Sequence, residues 1–98
     1  MKLGNLIWKS RIIEKLERKH NVSTIEVEEV LYENTPHVRF IQKGDVEGED
    51  LYAAYGRTFA GRYLIVFFIY KHDQNVLPIS ARDMDRRERR QYARHKHH

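Results

Sequence analysis

Apolar residues recur at helical spacing in the first third of the chain. Between residues 10 and 20, two isoleucines and a leucine fall on one face of a helix. Ser10 is a candidate N-cap, and Asn21 suits the left-handed conformation that ends many helices. A second helical stripe follows Ser23, and Glu26, three residues later, completes a capping box. The pattern therefore predicts two short helices joined by a tight turn.

After Pro36 the pattern changes to that of β-strands. The segment "HVRFIQ" alternates, "LYAAYGRT" is a weaker strand, and "GRYLIVFFIYK" is continuously apolar, as in a central strand covered on both faces. The fourth strand, "VLPISAR", contains Pro78, which cannot donate a ladder hydrogen bond and therefore predicts a sheet edge or a bulge. Short polar turns connect these segments, so we expect a four-stranded antiparallel meander.

The chain ends in a charged helix. Asp85 and Glu88 form a second capping box, and Tyr92 lies on the same side of the helix as Glu88. At about 100° per residue, four arginines share one third of the opposite circumference and form a basic stripe: Arg86, Arg87, Arg90 and Arg94. We therefore predict an α+β fold with two N-terminal helices, a four-stranded antiparallel sheet and a C-terminal basic helix, in a single domain over residues 1–98. Residues 93–98, which include "HKHH", are expected to form a flexible or tag-like tail.

Charge and composition narrow the classes of function. The net charge of +4 lies entirely between residues 82 and 96, where seven basic and three acidic residues occur, so an acidic partner should meet this end first. The chain has no cysteine, which excludes a disulfide framework and a thiol nucleophile. It has no metal-binding or nucleotide-binding motif, and we expect no cofactor. The N-terminus lacks an apolar leader and no apolar run is long enough to span a membrane, so we expect a cytoplasmic protein.

The residues that remain are suited to metal-free cleavage of RNA. Histidine transfers protons near neutral pH, and arginine holds phosphate oxygens through paired hydrogen bonds. Arg57, Arg62 and Arg82 stand at ends of predicted strands, and Lys19–His20 ends the first helix. Two interpretations are open: these arginines converge on a phosphate, or their long side chains point into water. The basic stripe likewise is either a nucleic-acid surface or a solvated helix face.

Four motifs are specific enough to compare with known families. They are "ISARDMDRRERRQY" at the C-terminal end, "RKHNVS" at the first helix turn, "GRYLIVFFIY" in the third strand, and Trp8, twelve residues before His20. Together they resemble the BrnT toxin family over nearly the whole chain. The resemblance implies a RelE-like fold and a ribonuclease toxin that inhibits translation. It also implies neutralisation by a BrnA-type antitoxin, through which the complex would bind operator DNA.

The resemblance also assigns roles to individual residues. Arg62 and Arg82 are implied in phosphate and transition-state contacts, followed by Lys19 and His20. Tyr92 has two open interpretations, a packing residue or a nucleobase contact. Contacts to the RNA backbone are expected from one arginine at a strand end and three on the basic stripe: Arg57, Arg86, Arg90 and Arg94.

Two departures from the family pattern affect the prediction. Asn21 stands where the family has glycine, and Leu51 stands where an arginine is expected. Leucine cannot bind phosphate, so either another residue, Arg39 or Arg57, takes the place of that arginine, or the chain is weakened. The alternative function is therefore a weakened member that acts as an antitoxin-binding or nucleic-acid-binding module. A plain interaction domain with a solvated basic helix is a third hypothesis. The antitoxin surface is expected on the basic stripe or along an exposed strand edge.

Overall fold

A computed structural model of the protein describes residues 1–33 and 35–96. Helix α1 (Ser10–Lys15) continues as a π-helical segment (Leu16–His20), and α2 (Thr24–Glu28) continues as a second one (Glu29–Glu33). Four strands and a last helix follow: β1 (His37–Gln42), β2 (Asp50–Arg57), β3 (Tyr63–Tyr70), β4 (Val76–Asp83) and α3 (Arg86–Lys96). The predicted α+β architecture is confirmed. Of the expected tail, residues 93–96 are helical, whereas His97 and His98 lie outside the described residues.

The four strands form one antiparallel sheet in the order β1-β2-β3-β4. The apolar strand β3 lies inside the sheet and β4 lies at an edge, as predicted. Ser80 pairs with Phe67 and Pro78 with Phe68, so that Ile79 forms a bulge at the proline. Near the start of β4, the N-terminal segment adds a parallel bridge between Leu6 and Val76, which covers that part of the edge.

Helical layers cover the sheet on both faces. The main core lies between the first two helices and one face of the sheet, and it includes Leu16, Val27, Leu64, Val66 and Phe68, all at most 1% exposed. A smaller core lies under α3 on the other face, formed by Ala53, Ile65, Met84 and Tyr92. Full burial of one such large side chain contributes about 1.5–3 kcal/mol. The odd and even positions of β3 therefore belong to different cores. A residue of β2 or β4 that pairs with a β3 position points to the same face of the sheet as that position.

Three of the four predicted helix caps are present: Asn21, the Ser23 capping box and the Asp85 capping box. Ser23 accepts a hydrogen bond from the Glu26 backbone N–H at 3.2 Å, and the Glu26 carboxylate accepts one from the Ser23 backbone N–H at 3.0 Å. The N-cap prediction for Ser10 was wrong, because Lys9 occupies that position without a side-chain cap. Asn21 ends the first helical segment in the left-handed region, with φ 52° and ψ 42°. The first two helices are thereby joined by a turn of three residues, 21–23.

Helix α3 presents the predicted basic stripe to solvent. Tyr92 is 5% exposed and packs edge-on against Tyr63, with ring centroids 6.0 Å apart. The four arginines of the basic stripe are exposed. In the part of the chain that the structure describes, no helix is long and apolar enough to cross a membrane.

Candidate functional site

Arg62 joins the first helix turn to the ends of β3 and β4. Its Nε donates to Asp83 Oδ1 at 2.7 Å, and Nη2 donates to Asp83 Oδ2 at 3.1 Å and to the His20 carbonyl at 3.0 Å. Its Nη1 donates to the Asn21 carbonyl at 2.6 Å and to the Glu26 carboxylate at 3.2 Å. All five guanidinium N–H groups therefore have protein acceptors. Arg62 holds the turn in place, and it has no N–H left for an additional ligand.

This network shifts the ionisation of its members. The hydrogen bond from Arg62 is the main reason that the pKa of Asp83 is lowered, and an electrostatic interaction with His20 adds to the effect. The pKa of Arg62 is raised, chiefly by its hydrogen bond to Asp83. Asp83 is therefore ionised at neutral pH, and the His20 side chain lies near it. Lys19, the residue before His20, is exposed to solvent.

Arg82 lies at the same end of the sheet, on the other face. Its Nη1 and Nη2 donate to the two Glu88 oxygens at 2.9 and 3.0 Å, and Nη1 also donates to the Asp83 carbonyl at 3.1 Å. The Arg82 side chain is 42% exposed, and its guanidinium carbon lies 5.8 Å from the centroid of the Phe67 ring. The hydrogen bond from Arg82 is the main reason that the pKa of Glu88 is lowered. Unlike Arg62, Arg82 remains accessible to a ligand that displaces Glu88.

The predicted grouping of arginines is thus divided between two faces of the sheet. Arg82 pairs with Ile65, whose side chain belongs to the core under α3, whereas Arg62 contacts the turn between the first two helices. Asp83 connects the two sides, since its carboxylate binds Arg62 and its carbonyl binds Arg82. Strand alternation is the physical reason for the division, because neighbouring positions point to opposite faces.

Arg57, the third arginine of the predicted group, lies on the α3 side. Its guanidinium carbon is 4.6 Å from the centroid of the Tyr63 ring, and that of Arg89 is 4.2 Å from the same centroid. Such cation–π contacts keep both guanidinium groups beside the aromatic ring. The sequence prediction included Arg57 and omitted Arg89, although Arg89 follows Glu88 on the side of the helix that turns towards the sheet.

A cleft between β1 and α3 brings together residues that the sequence did not predict to share a site. It measures about 260 Å³ and is lined by His37, Arg39, Tyr55, Glu88, Gln91, Tyr92 and His95. The His37 and His95 ring centroids lie 3.7 Å apart, and the His37 and Tyr55 ring centroids lie 6.0 Å apart. Burial is the main reason that the pKa of His37 is lowered, and the nearby charges of His95 and Arg39 add to it. The available signal was the alternation of "HVR", which puts His37 and Arg39 on the same face.

Leu51 lies away from these charged groups. It lines a separate cleft together with Ile69, Ile79 and residues of the loop that connects β1 and β2, among them the charged Lys43, Asp45 and Glu49. No group of three or more histidine and acidic side chains is placed to hold a metal ion within residues 1–33 and 35–96.

Comparison with known proteins identifies the family. No curated protein matches the sequence. A family model described as "Ribonuclease toxin, BrnT, of type II toxin-antitoxin system" matches residues 8–88, which include the first helix turn, the whole sheet and the start of α3. This family has an antitoxin partner and an RNA target. The chain therefore belongs to the BrnT family, the ribonuclease toxins of type II toxin–antitoxin systems.

Proposed function

We propose that this BrnT toxin is an endoribonuclease that cleaves RNA through the ribose 2′-OH, without a metal ion, and that a BrnA-type antitoxin neutralises it. The observation that carries the proposal is the network around Asp83. It links Arg62 and the His20 turn, on one face of the sheet, to Arg82 on the other face at the same end. Imidazole and guanidinium groups are sufficient for the reaction, because it needs proton transfer and charge stabilisation at phosphorus.

In this proposal the 2′-oxygen attacks phosphorus while its proton passes to the His20 imidazole. The bond from phosphorus to the 5′-oxygen then breaks, and the leaving oxygen takes up a proton from water, while His20 returns its proton to solvent. The products are a 2′,3′-cyclic phosphate and a 5′-hydroxyl. Lys19, exposed beside His20, contacts the phosphate as a mobile positive charge.

Arg82 is the proposed main phosphate contact. Its bidentate partner, Glu88, presents two oxygens in the geometry that a phosphate also offers. RNA therefore exchanges one anionic partner of Arg82 for another, and the half-exposed position of the side chain permits this exchange. Arg62 has a different proposed role. It positions the His20 turn through the backbone carbonyls of His20 and Asn21.

The proposed partners follow from the family and from the charge distribution. An acidic segment of the antitoxin would cover the exposed basic stripe of α3, and the complex would reach operator DNA through the antitoxin. The arginines of that stripe, together with Arg57, would also contact the RNA backbone in the absence of the antitoxin. The site of action would be the cytoplasm, where the RNA target is found.

The test is RNA cleavage by the purified toxin in excess EDTA. We expect cleavage by the wild type, a loss of about 100-fold or more in Arg82→Ala, and a loss of about 100-fold or more in His20→Ala. Arg11→Ala removes an exposed arginine from α1 and serves as the charge-matched control, with cleavage unchanged. Intact RNA with folded wild-type protein would contradict the proposal, as would cleavage that depends on added Mg²⁺. Co-expression with the neighbouring antitoxin gene should relieve growth inhibition.

A second function, binding without effective cleavage, is favoured by one specific observation. Leu51 replaces an expected arginine with an apolar side chain among Ile69 and Ile79. A toxin weakened in this way would still bind its antitoxin and RNA. Restoring the charge with Leu51→Arg distinguishes the two functions. A large gain in cleavage would indicate that Leu51 weakens the natural toxin. An unchanged rate would indicate that cleavage depends on the site around Arg82 and not on position 51.

A further inference from the structure

Cross-strand register arranges the α3 side of the sheet in rows of basic and aromatic residues. One row consists of His37, Tyr55, Ile65 and Arg82, and the next consists of Arg39, Ala53, Phe67 and Ser80. Each row has an arginine on an edge strand and at least one aromatic ring. Helix α3 covers part of this face and leaves the cleft beside β1 open.

We propose that the cleft between β1 and α3 is a subsite for single-stranded RNA, in which Arg39 contacts a phosphate and the His37 ring stacks on a base. The proposal rests on the ribonuclease function proposed above and extends the same substrate across the sheet from Arg82. Proteins recognise single-stranded RNA by combining exposed aromatic rings with a basic groove. The exposed Arg39 supplies the basic part. The half-buried His37 supplies the aromatic part when a base takes the place of the His95 ring, which lies 3.7 Å from it.

The charges in the cleft favour an anionic ligand. Glu88 is its acidic lining residue, and both carboxylate oxygens of Glu88 are bound by Arg82. The guanidinium groups of Arg39 and Arg82 therefore outnumber the one carboxylate of Glu88, whether or not RNA displaces Glu88 from Arg82. Gln91, an exposed amide at the rim, is able to donate to and accept from a base edge.

A protein partner fits this cleft less well than RNA does. The centres of protein interfaces are poor in charged residues and rich in apolar ones. The β1–α3 cleft is lined by two imidazoles, a guanidinium, a carboxylate and a carboxamide beside two tyrosines, so most of its lining groups are polar or charged.

The experiment measures binding separately from cleavage. A fluorescent 2′-O-methyl oligoribonucleotide has no free 2′-OH, so its anisotropy reports binding by an active or an inactive toxin. Arg39→Ala should weaken binding and reduce the slope of log affinity against log salt by about 0.7. His37→Ala should weaken binding about fivefold or more, and His37→Phe, which keeps a stacking ring, should restore it. Arg11→Ala is again the charge-matched control and should bind like the wild type.

Each outcome decides the proposal. It is overturned if the wild type does not bind, or if Arg39→Ala and His37→Ala bind like Arg11→Ala. It is also overturned if Arg39→Ala loses antitoxin binding but keeps RNA binding, which would make the cleft a protein-docking site. If His37→Ala melts at a lower temperature than the wild type, the binding comparison uses His37→Phe and Arg39→Lys instead of the alanine variants. If unmodified RNA stays intact with the wild-type toxin while the variants bind as expected, the ribonuclease function is contradicted but the subsite is supported.

Discussion

Replacement of Arg62 by alanine should destabilise the protein and release the His20 turn. The substitution removes donors to two carboxylates and two backbone carbonyls, on a side chain that is only 25% exposed. A typical hydrogen bond contributes about 0.5–1.5 kcal/mol net, whereas partly exposed ion pairs contribute about 0–1 kcal/mol each. Asp83 is 62% exposed, so water solvates its carboxylate when Arg62 is lost. The Arg62–Asp83 pair therefore contributes near the low end of the range for ion pairs. We therefore expect the free energy of unfolding to fall by about 2–3 kcal/mol.

Thermal and urea denaturation measure this loss directly. For a domain of this size, it corresponds to a fall of about 10–20 °C in Tm. Amide hydrogen exchange should accelerate most around the turn of residues 21–23, because the anchored carbonyls of His20 and Asn21 adjoin it. Arg62→Lys keeps the charge but has three donors instead of five, so it should recover only part of the stability.

The exposed control Arg11→Ala should stay within about 0.5 kcal/mol of the wild type. The reasoning is refuted if Arg62→Ala is equally stable, or if its turn exchanges no faster. A positioning role for Arg62 also predicts a lower kcat in the folded variant, while affinity for the 2′-O-methyl RNA is unchanged. A weaker affinity with unchanged kcat would instead indicate a direct phosphate contact.

Three further predictions concern local structure and pH. Ser23→Ala removes the N-cap acceptor of α2 and should cost about 1 kcal/mol in urea denaturation, with Ser23→Asn as the control that keeps a cap. Asn21→Val forces a β-branched residue to φ 52° and should lower Tm, whereas Asn21→Gly should leave it equal or higher; a neutral valine variant would contradict this account. Because the pKa of Glu88 is lowered in the folded state, its bond with Arg82 stabilises the protein above the ordinary value of 4.5, and this stability is lost as pH falls through the folded-state pKa. Between about pH 5 and about pH 3, Arg82→Met should therefore lose less stability than the wild type, and parallel pH curves would argue against the pair.

The sequence determined the order of the elements because their signals are local. The Ser23 and Asp85 capping boxes each depend on residues three positions apart, and the structure has both of them. Pro78 predicted an edge or a bulge from its missing N–H alone, and both occur. Ser10 was the exception, because a serine before an apolar stripe is a weak cap signal when the chain can begin the helix one residue earlier.

The site depended on information that the sequence does not contain. Motif resemblance indicated Arg62 and Arg82, but only the register of β3 with β4 puts Arg82 on the α3 face. Only the packing of the first helix turn supplies the acceptors that occupy Arg62. The meeting of His37 and His95, 58 positions apart in the chain, needs both the edge position of β1 and the placement of α3. By itself the sequence determined helices, strands, caps and a family likeness, because each arises from neighbouring residues or a motif. Which charged side chains share a face, and which are already neutralised, was decided by tertiary structure, because these contacts join residues far apart in the chain.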